Sequence, residues 1–315
     1  MSAPISSPVD DLFGPAPDGE IFHYTTPAGL EGILRGRFFR AKHIRCQSDR
    51  REIEWGLGVL RRAAREVTAR DRSRATRCSV HGLVDLLRFL TTKRGSPARI
   101  HIPGIQLDPA VIARLDLRCY ISCFSGRLDI ASQWKRYAGG GAGYTVGLDP
   151  KLFDARKRFE FRWGPPWYLA GVKYDRQAAL DAFTALLQEF LARAGTDAGM
   201  FEALDSAVQS VGTPLLLYKD RKFASEAEWR ALYSRAPESK DLPQDDAKGR
   251  VWRLGLCNDA AGPFDVLPVT RIVCGPYADP WFAYSLANLT GHWPVIIERS
   301  SVKLSGRRHR GHAGS

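Results

Sequence analysis

Apolar and polar positions along the chain alternate between two periods, and the first segment sets the style. Ile21 to Thr25 is short, apolar and aromatic, which predicts a strand. Thr26 and Pro27 then supply a helix N-cap and a proline at the first helical position. Leu30, Ile33 and Leu34 form the apolar stripe of the helix, with Gly36 as its expected stop. Phe38 to Ala41 reads as a second short strand. Ile53, Leu57, Leu60, Ala64 and Val67 follow the spacing of an amphipathic helix. A further helix over Val80 to Leu90 buries Leu83, Leu86, Leu87 and Leu90. Cys119 to Ser125 reads as a buried strand, Ser132 to Tyr137 as a helix, and Tyr144 to Leu148 as a strand, with the glycines of 139–143 as a loop between the last two. Leu169 to Tyr174 is a strand, and Gln177 to Ala194 and Phe201 to Val211 are helices. Trp229 to Tyr233, Val251 to Leu256, Ile272 to Cys274 and Val295 to Glu298 are strands, and Pro237 to Lys248 is a polar loop.

Strands and helices mix without strict alternation, so the class expected is α+β. The expected organisation is a flexible leader over residues 1–20, a single α+β domain over 21–305 and a basic flexible tail over 306–315. The 315 residues, 44% hydrophobic and 25% charged, are ordinary for a folded protein with a substantial core. No apolar run reaches membrane-spanning length, and the N-terminus lacks the basic start and apolar stretch of a secretory signal, so the expected location is the cytoplasm. Six cysteines, Cys46, Cys78, Cys119, Cys123, Cys257 and Cys274, form no CxxC pair and read as reduced thiols.

Charge changes the picture more. The formal net charge is +12, and much of it is local. Seven arginines, Arg61, Arg62, Arg65, Arg70, Arg72, Arg74 and Arg77, fall within 17 positions, and Arg307, Arg308, His309 and Arg310 form a second cluster. Such a field attracts polyanions, and Arg61, Arg62 and Arg65 are the candidate nucleic-acid contacts; a merely solvated helix face explains the run equally well.

Four blocks carry unusual residues: His23-Tyr24-Thr25 with Gly32 to Gly36; Ala41 to Glu52, ending Ser48-Asp49-Arg50-Arg51-Glu52; Ser122-Cys123-Phe124-Ser125 with Ser132-Gln133-Trp134, Tyr137 and the glycines; and Phe223 with Glu226-Ala227-Glu228-Trp229-Arg230, followed by Ile272 to Pro276. In this order, from about Ile21 to about Arg308, they resemble the bacterial family known as domain of unknown function 2971. Members often have Leu-Asn-Asp where this chain has Gln47-Ser48-Asp49, so a role that needs the amide is not carried over to Ser48, while Asp49 and Glu52 remain. The opening block is also similar to the start of ADP-ribosyltransferases. That resemblance implies a split-sheet fold with a mixed or antiparallel centre flanked by helices, and NAD as substrate. It implies that His23 and Thr25, beside Tyr24, hold a ribose; that Ser125, Trp134 and Tyr137 line the nicotinamide side; and that Arg230 or Arg136 takes the pyrophosphate. Glu228, with Glu226 as alternative, becomes the catalytic glutamate and His23 its partner. A carboxylate there would stabilise the oxocarbenium-like ribose as the glycosidic bond breaks.

Each residue also has a plain reading. Trp134 and Tyr137, three apart on a helix, fit core packing. Glu228 and Arg230, two apart on a strand, share a face and fit an ion pair. The glycines lack the Gly-Lys-Ser/Thr of a phosphate loop. His43, His81, His101 and His292 have no metal-like spacing, and no metal is expected. The sequence therefore points first to ADP-ribosyl transfer from NAD to an unknown acceptor, with nucleic acid as one candidate. A non-catalytic nucleic-acid or nucleotide-binding module in stress response or phage defence comes second. A metal-dependent phosphodiesterase using Asp49 and Glu52 comes third.

Overall fold

A computed structural model describes residues 17–46, 49–92, 99–115, 117, 119–151, 167–194, 199–234, 244–246, 249–255, 257–258, 262–263, 269–292 and 295–304. The leader up to residue 16 and the basic tail lie outside them. The chain groups into two compact units, each assembled from separate stretches of sequence. Of the described residues, one comprises those within 40–123 and 167–253, and the other those within 17–39, 124–151 and 254–304.

The elements, in chain order, are β1 (Ile21–Thr25), α1 (Pro27–Gly36), β2 (Phe38–His43), α2 (Arg50–Arg70), α3 (Arg74–Thr92), α4 (Pro109–Arg114), β3 (Cys119–Ser125), α5 (Ala131–Tyr137), β4 (Tyr144–Leu148), β5 (Trp167–Gly171), α6 (Arg176–Ala194) and α7 (Met200–Leu217). They continue with β6 (Glu228–Ser234), β7 (Gln244–Asp246), β8 (Gly249–Gly255), β9 (Cys257–Asn258), β10 (Gly262–Pro263), β11 (Val269–Cys274), α8 (Pro280–Leu289) and β12 (Ile296–Arg299). Strands pair mostly antiparallel, with β11 and β12 parallel, so the mixed sheet flanked by helices matches the α+β expectation.

The first unit is a helical layer on a sheet. The stripe of α2 faces inward as its spacing dictates, and Ile53, Leu57, Leu60, Ala64 and Val67 join one buried cluster with α3, α6, α7 and β3. Close approach is enforced by small residues: a Cβ on Gly212 of α7 would come within 2.6 Å of Cys119 Sγ on β3. β3 pairs antiparallel with β2, through Lys42↔Ile121 and His43↔Tyr120, and also pairs with β6. β6 in turn pairs with β5 through Leu169↔Ala231, Ala170↔Arg230 and Gly171↔Trp229. Three expectations shift. The chain leaves the β5 ladder at Gly171, short of Tyr174. Helix α7 continues through Pro214 to Leu217, because Leu215, Leu216 and Leu217 are all buried. Part of the polar loop expected over Pro237 to Lys248 is β7, which pairs with β8; the rest lies outside the described residues.

In the second unit β1 pairs with β4 (His23↔Val146, Tyr24↔Thr145), and β4 with β11 across an irregularity at Val269/Arg271. The Thr26 hydroxyl accepts from Gly29 N at 3.2 Å, and α1 ends one residue beyond Gly36, on Arg37 at φ +56°. The glycine loop is a short turn in which Gly139, Gly140 and Gly141 all have positive φ. It packs backbone on backbone: Gly143 N donates to Ala138 O at 2.9 Å, and a Cβ on Gly143 would lie 2.2 Å from Thr25 O.

Candidate functional site

The arginine run lies on α2, α3 and the turn between them, and all seven of its guanidinium-bearing residues are exposed. On α2 the periodicity that buries Leu60, Ala64 and Val67 turns Arg61, Arg62 and Arg65 outward. Arg62 Nε pairs with Glu66 at 3.1 Å, one helical turn on. Arg62, Arg65, Glu66 and Ala69 line an open groove of about 530 Å3, whose other wall is Arg176, the first residue of α6.

A second charged set is buried in the same unit. Glu52, in the first turn of α2, reaches both Lys219, at 3.3 Å, and Arg230. Lys219 Nζ also contacts Glu226 Oε2 at 2.7 Å and Glu228 Oε2 at 2.9 Å. Arg230 grips Glu228 with two bonds, Nε to Oε1 at 2.8 Å and Nη2 to Oε2 at 3.0 Å, and donates to Leu216 O. The backbone N–H of Glu228 donates to Tyr174 Oη at 3.1 Å. Lys219 and Arg230 are 3% and 2% exposed, Glu226 and Glu228 5% and 8%. Burial alone would raise the Glu228 carboxyl, but the Arg230 and Lys219 charges and their hydrogen bonds hold it well below the usual carboxylate range. Burial works against the Lys219 ammonium too, yet Glu228 and Glu52 raise it. Cys123 lies beside this set, and burial, aided by the Glu228 charge, pushes its thiol up, away from nucleophile chemistry. The expected ion pair of Glu228 and Arg230 is thus real and larger than a pair.

The residues of the NAD resemblance divide. Glu228 and Arg230 lie in the first unit, and His23, Tyr24, Thr25, Ser125, Trp134 and Tyr137 in the second. The half-buried His23 ring packs on Phe39 and Phe124, with centroids 5.3 and 5.6 Å away. Tyr24 Oη accepts from Ile130 N at 3.0 Å, and burial pushes its phenol up to about 12. Thr25 is buried, and the Ser125 hydroxyl accepts from Arg127 N at 3.1 Å. Trp134 is 0% exposed: its ring meets Tyr24 edge-on at 5.0 Å and its indole N–H donates to Asp129 Oδ1 at 2.7 Å. The side chain is therefore fully buried, in keeping with the core-packing reading of its helical spacing. Tyr137 is at the surface, with Arg136 5.9 Å from its ring.

Asp49 caps α2 by accepting from Arg51 N at 3.0 Å, while Glu52 is committed to Lys219 and Arg230. Among the described residues no three His, Cys, Asp or Glu side chains are placed to hold a metal ion. Nor is any helix among them long and apolar enough to cross a membrane.

Lys219, Arg176 and Asp129 were not singled out by the sequence. Lys219 follows on an apolar helix end, and Arg176 opens an Ala- and Leu-rich helix whose apolar pattern draws the attention. Asp129, at φ +65°, also accepts from Ser300 and, at 2.7 Å each, from the backbone N–H and hydroxyl of Ser301. Only the Lys-x6-Glu-x-Glu-x-Arg run from 219 to 230 offered a signal, since it repeats opposite charges within one short stretch.

Residues 133–231, from α5 to β6, match the model of a family described as a protein of unknown function, DUF2971. The family resemblance read from the sequence blocks is borne out over that stretch. No curated protein and no solved structure matches the chain.

Proposed function

We propose that the protein binds nucleic acid through the arginine face of α2 and α3. The observation that carries this reading is the exposure of all seven arginines, with Arg62 and Arg65 lining an open groove. Guanidiniums presented in this way displace the condensed counter-ions of a phosphate backbone, and the entropy of their release drives association. A titration of a labelled duplex against the protein at several salt concentrations tests it. Tight binding at low salt should fall steeply as salt rises, and changing Arg61, Arg62 and Arg65 together to Ser should remove most of it. Equal binding by the triple variant, or none by the parent protein at low salt, ends the proposal.

A second reading is ADP-ribosyl transfer from NAD, with an ADP-ribosyltransferase-like split sheet. One observation favours it: Glu228 is kept ionised beside Glu226 by a buried lysine and arginine, a costly arrangement that stability alone does not require. Under this reading NAD would raise the melting temperature by mass action. Absence of any shift at millimolar NAD counts against it.

A further inference from the structure

A row of arginines on one helix concentrates phosphates near it without seating any one of them. Arg176 changes that. It brings a guanidinium from α6 to face Arg62 and Arg65 of α2, and α2 and α6 share one buried core. Leu60 and Ala64 of α2 and Ala179 and Phe183 of α6 belong to that core, and packed helices hold their spacing, so the distance across the groove is set by the two helices rather than by side-chain wandering. Three guanidiniums oppose a single carboxylate, Glu66, whose contact with Arg62 Nε steadies that side chain and occupies only one edge of its guanidinium. Asp220 also feels the charge of Arg176, although its carboxyl is held low chiefly by the Lys222 backbone N–H. Arginine is suited to this task because its planar fork bonds a phosphate through two donors at once.

The groove is open, so a phosphate can enter while remaining part of a longer chain. Base recognition on single strands needs aromatic platforms beside the cations. Among the described residues of this unit no large hydrophobic side chain is exposed; those that are, such as Tyr137, Trp281 and Tyr284, belong to the other unit. We infer that the groove formed by Arg62, Arg65 and Arg176 seats one backbone phosphodiester of a nucleic acid, independently of base sequence. The inference rests on the nucleic-acid reading above and names the contact within it.

The test uses the full chain and two labelled duplexes of about 20 base pairs with unrelated sequences, followed by fluorescence anisotropy across a salt series. Arg176→Ala should weaken both duplexes alike, by about five- to tenfold near 0.1 M salt, and lower the salt slope by about one. Arg65→Ala, on the opposite wall, should do the same. Arg176→Lys should keep the slope while losing part of the affinity, because the charge stays and the fork goes. Arg193→Ala is the control: it lies on the same helix, paired with Glu189 at 2.7 Å, and should change binding less than about twofold. If Arg176→Ala behaves like Arg193→Ala while the parent protein binds, the groove assignment falls and the wider reading stands. Unequal losses on the two sequences overturn the sequence-independent contact. If the parent protein binds neither duplex at low salt, both fall. Displacement of the duplex by phosphatidylserine vesicles more readily than by unlabelled duplex at equal charge would make the groove a lipid-headgroup site instead.

Discussion

Lys219 shows how much one residue can be asked to do. Its ammonium is withdrawn from water and repaid by contacts with Glu52, Glu226 and Glu228. Breaking such a set by removing one partner is costly, because the charges left behind stay buried. Lys219→Met should therefore destabilise the protein by about 3–5 kcal/mol, read from urea denaturation. A loss below about 1 kcal/mol would mean that the carboxylates find water or another cation. Glu228→Gln separates structure from chemistry. If Glu228 serves a glycosyl transfer, NAD hydrolysis should fall about a hundredfold while NAD binding is nearly kept. Stability should drop in either case, because Lys219 and Arg230 lose a buried partner; if Glu228 has no chemical role, any activity should only follow the folded fraction. Melting and hydrolysis measured on one sample distinguish the two, and a stable, fully active variant moves suspicion to Glu226.

At the scale of elements, cap chemistry marks a helix start clearly only where an apolar stripe follows it. Thr26-Pro27 identified the start of α1, yet Asp108-Pro109 and Asp279-Pro280 carry the same signature, and the helices they begin, α4 and α8, were not read. In both the aspartate accepts as a cap should, Asp108 from Val111 N at 2.8 Å and Asp279 from Trp281 N at 3.0 Å. What hid these helices is their weak apolar periodicity over six and ten residues. Asp279→Ala should thus cost about 1 kcal/mol, checked by thermal melting, and Asp279→Asn much less. Strands β1, β3 and β4 were legible to the residue, because apolar, aromatic and β-branched side chains crowd them and turn signals bound them. The candidate site was legible only in part. The exposed arginines follow from helical periodicity, and the pairing of Glu228 with Arg230 follows from strand alternation. Lys219 lies in the same short charged run as Glu226, Glu228 and Arg230, but Glu52 and Arg176 come from distant segments, and no local pattern announces which helix will pack on which.

For the molecule as a whole, acid should be the more damaging direction of pH, and His292 supplies the argument. It is 6% exposed, just beyond α8. Thr290 Oγ1 gives its proton to Leu286 O at 2.7 Å, so it accepts from the His292 Nδ1–H, 2.9 Å away. The other ring nitrogen, Nε2, is then the bare one, and it is buried with no hydrogen-bond partner among the described residues. A proton added there gains no acceptor and meets the charge of Arg37, so burial first and Arg37 second lower the imidazole from 6.5 to about 4. The unfolded chain takes up this proton as pH falls below about 6.5, while the folded chain refuses it until about 4. Stability should accordingly decline across that window, by up to about 3 kcal/mol from this group. The lowered carboxyl of Glu228 acts in the same direction but only at lower pH, below its unfolded value, so the two losses follow one another. Urea denaturation from pH 7.5 down to 4.5 should show the decline in the parent protein and a flatter profile in His292→Gln. An unchanged slope in that variant would remove His292 from the account and leave the carboxylates to explain acid sensitivity.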